Sequence, residues 1–406
     1  MKGCDPVSRA FVVWLVAVSV YLVAITGRTS FGVSGVFALE RFDVGASQLA
    51  VFTSLQVGVY ALSQIVMGLL IDRFGPRRLM SIGAVIMACG QILLGITTSF
   101  SVALGARALI GVGDATAFLS LMRLIPEWFP LKRAPLIAQT SAAIGQLGQF
   151  LSAIPFLSLL KVQGWTVAFV SLGSVGVLVG LAAWVALRDS PRPPLTTPIP
   201  LGSFSARLGS VLKSPVCWQA FFVHWMGLVP LIVFTLIWGV PMMTLGLGLS
   251  AQTAGMALVL CTAVNIVSGP LLGAVSPRFG AKREYAAITM SGLIVLSFLV
   301  FFQAGGAFWL LLVAVALLGM FVPASNYGFD TVRERLSPGV LAAGTGLANM
   351  GGFTAGMVAA QLMGVWLERS GEFSLVAFGQ AWLAVPLVWL LGLVGFVVSR
   401  RAMVKG

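Results

Sequence analysis

The sequence predicts an all-α membrane protein of twelve transmembrane helices in two six-helix bundles, and three observations carry that prediction. Of the 406 residues, 58% are hydrophobic and only 9% charged, with a mean hydropathy of +1.00; no water-soluble domain can hide that much apolar surface in its core. Apolar stretches of the ~20 residues that cross a bilayer as a helix recur along the chain, separated by short polar segments. The longest polar interruption divides these stretches six and six.

In order, the predicted spans are residues 11–36, 49–71, 79–97, 100–123, 136–158, 165–187, 216–240, 251–275, 285–303, 307–329, 341–365 and 376–399. The opening span follows Lys2 and Arg9 as a signal peptide would, but it is long and lacks a small-residue cleavage site before a soluble domain, so it is read as the first helix. The domains expected are an N-terminal bundle (1–187), a cytoplasmic linker (188–215) and a C-terminal bundle (216–406). Five prolines from Pro191 to Pro200 preclude a helix in that part of the linker and favour an extended, semi-rigid connection.

A net charge of +13 raises the question of a nucleic-acid partner, which the placement of the charges answers. With the N-terminus inside, all but Arg28, Arg41, Arg107, Lys161 and Arg369 of the 25 Lys and Arg residues fall on internal segments. That asymmetry is topology information. It places both termini in the cytoplasm and the protein in the cytoplasmic (inner) membrane, with lipid as its surroundings and no nucleic acid. Cys4, Cys89, Cys217 and Cys261 lie at the N-terminus or within spans without metal-like spacing. They are read as free thiols, and neither metal nor cofactor is expected.

An internal repeat supports the two halves. Asp72-Arg73-Phe74-Gly75-Pro76-Arg77-Arg78, after the second span, is echoed half a chain later by Pro277-Arg278-Phe279-Gly280-Ala281-Lys282-Arg283, with Gly68 and Gly273 at matching places upstream. An even number of helices per half makes such repeats parallel, related by an axis along the membrane normal. Gly68 permits close helix approach, and Asp72 is suited to receive the positive N-terminus of a helix from the other half.

The segment from Gly68 to Arg78 resembles the signature loop between helices two and three of the major facilitator superfamily. Arg107, Gly111 and Gly113 resemble that family's Arg-Gly pattern in helix four, and Pro126-Glu127-Trp128-Phe129-Pro130 with Lys132-Arg133-Ala134 is similar to its next loop. The resemblance implies a monomeric secondary transporter working by alternating access, in which the loop latches the halves in the outward-facing state. Gly68, Asp72, Arg73, Gly75, Arg77 and Arg78, with Asp330, are the expected cytoplasmic gate; Pro277 in place of an aspartate makes that latch asymmetric. The glycine-proline signature of efflux members is not matched in the fifth span, where Ala143 to Gln149 precede Pro155.

Ionisable residues at membrane depth cost roughly 2.5–3.5 kcal/mol each on insertion scales and are usually functional. Arg28 and Arg107 lie at similar depths, suited to hold an anion between them. Asp114, seven residues after Arg107 on the same helix face, either neutralises an arginine or is the proton-coupling carboxylate. The alternative is a structural ion-pair network; if Arg107 serves Asp114, only Arg28 is left for an anion. Gln56, Tyr60 and Gln64 form a polar stripe on the second span, and Gln139, Gln146 and Gln149 lie on the fifth. The substrate-binding candidates are Arg28, Gln56, Tyr60, Arg107 and Gln146 in the first half, and His224, Trp225, Asn265, Asn326 and Asn349 in the second. Interhelical hydrogen bonding is the alternative for the amides, and a plain buried histidine for His224.

These residues point to secondary active transport of a small solute, proton-coupled, and polar or anionic because buried arginines outnumber buried carboxylates. No phosphate-binding loop is present, so ion gradients drive the work. The alternative is proton-driven efflux of amphiphilic or lipid-like compounds, for which 27 Phe and 11 Trp offer an apolar lining. A membrane-embedded transferase needs a catalytic histidine or carboxylate cluster at a membrane surface, which the sequence lacks; no enzyme is expected.

Overall fold

The computed structural model describes residues 6–191 and 204–405. Among them there is no strand, and the segments between helices are short. Lipid offers no partner to an exposed peptide group, so an apolar chain closes its backbone hydrogen bonds within each segment. Ten described helical stretches are long and apolar enough to cross a membrane.

Two of the ten, Ala134–Ala186 and Ala251–Gln303, run to 53 residues, far beyond one bilayer crossing. Each is interrupted by a glycine in a conformation that side chains resist: Gly164 at φ 83, ψ 177 and Gly280 at φ 49, ψ −125. The sequence places a boundary between predicted spans at each of these glycines.

The chain forms two compact units, the first of residues 1–130, 144–211 and 337–346, the second of residues 131–143, 212–336 and 347–406. The first is built from α1 (Pro6–Val33), α2 (Gly35–Phe42), α3 (Ala46–Phe74), α4 (Pro76–Ile96), α5 (Phe100–Trp128), the later part of α6 (Ala134–Leu151), a π-turn at Ser152–Phe156 and α7 (Leu157–Ala186). Small residues let α4 and α5 approach closely: a Cβ on Gly113 would lie 2.4 Å from the Gly83 carbonyl oxygen, a contact only glycine permits.

The linker prolines Pro193, Pro194, Pro198 and Pro200 lie outside the described residues. The rest of the linker contains α8 (Phe204–Lys213), a helix the sequence reading did not anticipate.

The second unit holds α9 (Pro215–Ile232), a π-turn at Val233–Trp238, the short α10 (Gly239–Pro241), a second π-turn at Met242–Gly246, α11 (Ala251–Phe279), α12 (Arg283–Gln303), α13 (Phe308–Phe321), a 3-10 segment at Val322–Asn326 and α14 (Tyr327–Arg335). It continues with most of α15 (Leu341–Ser370), then α16 (Leu375–Trp382) and α17 (Ala384–Lys405). Prolines mark the irregular stretches: Pro155 and Pro323 lie inside theirs, and Pro230 just precedes one. A missing N–H and a clash with the preceding turn force the backbone out of regular α geometry. Aromatic packing fills the core of this unit, with the Phe298 and Trp382 rings stacked at 4.6 Å.

Candidate functional site

The charged residues of the first unit converge. Arg28 on α1 grips Asp114 on α5 with both arms, Nε to Oδ2 at 2.6 Å and Nη2 to Oδ1 at 2.9 Å. The Asp114 side chain is 1% exposed and that of Arg28 21%. The guanidinium also rests 4.4 Å from the centre of the Tyr60 ring, a cation–π contact that holds the fork in place. A charge-assisted bidentate pair of this kind is among the stronger polar interactions available to a protein.

Arg107 is arranged differently. It is 1% exposed, its guanidinium lies 4.5 Å from the Phe31 ring centre, and its Nε donates to the Phe52 carbonyl at 3.4 Å. Its Nη1 has no hydrogen-bond partner among the described residues. Arg107 is therefore not the arginine that serves Asp114. On one helix the seven-residue step from Arg107 to Asp114 is about 10 Å of rise, whereas α1 brings Arg28 alongside. Phe31 packs on Phe52 at 4.8 Å and Phe42 on Phe52 at 5.4 Å, walling this arginine with aromatic rings.

Gln56 on α3 is 1% exposed and packs on α5 at Gly111. Gln64 donates to the Tyr60 carbonyl one turn back, at 3.3 Å. Gln146 accepts from Gln149 on its own helix.

A second constellation surrounds the Asp72 loop. The Asp72 carboxylate accepts from the N–H groups of Ala342 and Ala343, both at 2.9 Å, in the first turn of α15. Arg123 Nε stands 3.5 Å from the same carboxylate, and Arg123 Nη1 reaches Glu127 at 2.7 Å. Gly68 makes room for this approach, since a Cβ there would lie 2.5 Å from Ala343 Cα. Gly75, at φ 88, ends α3 and starts α4. Its neighbour Asp189 accepts from the Arg77 N–H at 2.7 Å, while the Arg77 side chain donates twice to the Trp184 carbonyl. Arg73 and Arg78 are exposed.

In the second unit, His224 is 3% exposed, with Nδ1 3.4 Å from the Ser325 carbonyl and a hydrogen bond to Asn349. Asn326 donates to Gln139 Oε1 at 3.0 Å, and Gln139 Nε2 donates to the Pro323 carbonyl at 2.6 Å, so one amide closes the break between α13 and α14. Trp225 is anchored through its indole N–H to the Val388 carbonyl at 2.8 Å. Asn265 is half-buried on α11. Asp330, 4% exposed, accepts from Ser276 at 2.7 Å and pairs with Arg333 at 2.6 Å.

The sequence reading missed Asp189, and it did not assign Arg123 or Glu127, the latter named only within the loop after the fourth span, to the surroundings of Asp72. The signal for Asp189 was faint: an acid directly after Arg188, at the end of a span that returns to the basic loop. Arg123 and Glu127 stand four residues apart on one helix and were legible as an ion pair, though not as neighbours of Asp72.

The described residues, all helical with ten membrane-length stretches and ion pairs buried among them, have the build of a multi-pass membrane protein. Residues 17–360 match the Major Facilitator Superfamily, and the chain belongs to that family of secondary transporters. It is 22% identical over 375 residues to the "Probable sulfoacetate transporter SauU" of Cupriavidus necator, covering 87% of this chain and 86% of that protein. It is 28% identical over 319 residues to the oxalate:formate antiporter of Oxalobacter formigenes, covering 71% and 73%. The crystal structure of the Escherichia coli fucose:proton symporter superposes with a TM-score of 0.69 over 94% of this chain and 98% of that one, at 14% identity, a likeness of fold alone.

Proposed function

We propose that this protein is a proton-coupled transporter of small organic anions, working by alternating access through twelve spans of the inner membrane with both termini in the cytoplasm. The observation that carries the reading is the charge balance of the first unit's interior: Arg28 is paired with Asp114, while the buried Arg107 meets an aromatic ring and a backbone carbonyl and no carboxylate among the described residues. An uncompensated buried charge is costly, and an anion seated against it relieves that cost. The relatives named for sulfoacetate and oxalate carry ligands of this chemistry.

The coupling follows from a shared partner. Arg28 holds the Asp114 carboxylate with the same two donors it would offer to an anion. A proton on Asp114 removes half of that ion pair and frees the fork for the ligand. Proton and anion then bind together, and deprotonation restores the pair and expels the ligand. Tyr60 and Arg107 are assigned to the anion, with Gln56 and Gln146 beside them; His224, Trp225, Asn265, Asn326 and Asn349 are assigned to the face contributed by the second half. Residues 1–187 and 216–406 act as the two moving bundles joined by 188–215, in a functional monomer. The gate is assigned to the Asp72 carboxylate at the first turn of α15 with Gly68, Arg73, Gly75, Arg77 and Arg78, and in the second unit to Asp330, held by Ser276 and Arg333.

The test is flux into proteoliposomes of sulfonates, dicarboxylates and sugar acids with an imposed pH gradient. Uptake of one anionic class driven by an inward proton gradient is expected. Transport confined to apolar amphiphiles would overturn the proposal in favour of efflux.

A further inference from the structure

The Arg28–Asp114 pair leaves unsatisfied groups beside it. Neither Nε2 nor Oε1 of Gln56 has a hydrogen-bond partner among the described residues, and the same is true of Arg107 Nη1. Both side chains are 1% exposed. Gln56 lies against α5 between Arg107 and Asp114: a Cβ on Gly111 would stand 2.7 Å from the Gln56 carbonyl oxygen and 3.4 Å from its Cγ. Phe52, one turn earlier on α3, is the residue that meets Arg107. Phe52 and Gln56 lie one turn apart on α3, and Arg107 and Gly111, which they meet, lie one turn apart on α5, so the two unpartnered groups belong to successive contacts of one helix pair.

These atoms specify a ligand. Arg107 Nη1 and Gln56 Nε2 are donors and suit a carboxylate. Gln56 Oε1 only accepts, so it calls for a donor on the ligand, and a plain carboxylate or sulfonate has none. An ammonium donor is disfavoured beside Arg107, a buried cation with no carboxylate partner among the described residues. A hydroxyl satisfies the amide oxygen without adding charge.

We propose that Gln56 is the specificity-determining residue of this site and selects hydroxylated carboxylates, its amide nitrogen sharing the carboxylate with Arg107 while its amide oxygen accepts from a ligand hydroxyl. The inference rests on the anion reading above and adds the substrate class to it. A site built to hydrogen-bond a hydroxyl rejects the analogue lacking it, because its own buried groups are left unmade.

The experiment measures binding to the purified full chain, by ligand-induced thermal stabilisation, of matched pairs: glycolate and acetate, glycerate and propionate, tartrate and succinate. In the wild type the hydroxylated member of at least one pair binds about 10-fold more tightly or better. In Gln56→Met the two members bind alike, the hydroxylated acid losing both amide contacts and the unsubstituted acid only the one to its carboxylate, so the hydroxylated member weakens more. Three results overturn the proposal: a wild type that binds both members equally while still requiring Arg107, a Gln56→Met variant that keeps the preference, or one that weakens both members to the same degree, which would make the amide a structural or water-holding group. If Gln56→Met does not fold, Gln56→Glu serves. It keeps the shape but offers Arg107 an internal carboxylate, and is expected to lose all the acids; unchanged affinities would refute the assignment. If no acid stabilises the wild type and Arg107→Ala changes nothing, the anion reading itself has failed and the inference falls with it. Anion binding without hydroxyl preference removes Gln56's role alone.

Discussion

Replacing Asp72 by asparagine attacks the contact in which one carboxylate accepts two backbone N–H groups of α15, at 2.9 Å each. Asparagine keeps one acceptor oxygen and turns an NH2 group toward the second N–H and toward Arg123, which stands 3.5 Å from the native carboxylate. The loss is one charge-assisted hydrogen bond of about 1.5–3 kcal/mol together with part of the interaction between an anion and a helix N-terminus, about 0.3–1 kcal/mol. The total is about 2–4 kcal/mol, and even its lower end shifts the equilibrium between the joined and parted states of this contact about 30-fold. The readout is amide hydrogen exchange of a peptide covering Ala342 and Ala343, whose protection is expected to fall by about that factor, accompanied by impaired transport cycling. Unchanged protection at these two amides would refute the reasoning, whatever the transport rate.

Gly68→Val is expected to act in the same direction, because its Cβ would lie 2.5 Å from Ala343 Cα; exchange at the same amides checks it, and native protection would show that α15 is held elsewhere. Arg28→Ala leaves Asp114 buried without its bidentate partner and should cost about 3–5 kcal/mol of stability unless the carboxyl is protonated, so thermal unfolding is expected to recover at acid pH while anion binding does not. Adding Asp114→Asn to Arg28→Ala should restore much of the stability at neutral pH without restoring flux, a double-mutant comparison that separates the structural part of the pair from its function. Asp114→Asn alone should retain anion exchange but lose its response to an imposed pH gradient; a wild-type response would return Asp114 to a purely structural role.

The helical, membrane-spanning character was legible in the sequence because the bilayer sets a single length and permits a single way of closing the backbone over such stretches. The approach of Gly68 and Asp72 to another helix was foreshadowed by their spacing before a basic loop, although α15 as the receiving helix was not. Helix α8 escaped notice because its ten residues, Phe204 to Lys213, are too few and too mixed for a hydropathy reading, and the prolines before it drew the eye to extended chain.

From the sequence alone came the placing of Arg28, Arg107 and Asp114 within apolar helical spans, since a polar residue inside such a stretch is visible without its neighbours. Which arginine meets the carboxylate was decided by the tertiary structure, as were the isolation of Arg107 beneath Phe31 and Phe52, the amide of Gln139 between Pro323 and Asn326, and the hold of Asp189 on Arg77. All of these depend on how neighbouring helices are rotated and brought together. A one-dimensional pattern tells which face of a helix is polar, but the partner of that face is set by packing between segments far apart in the chain.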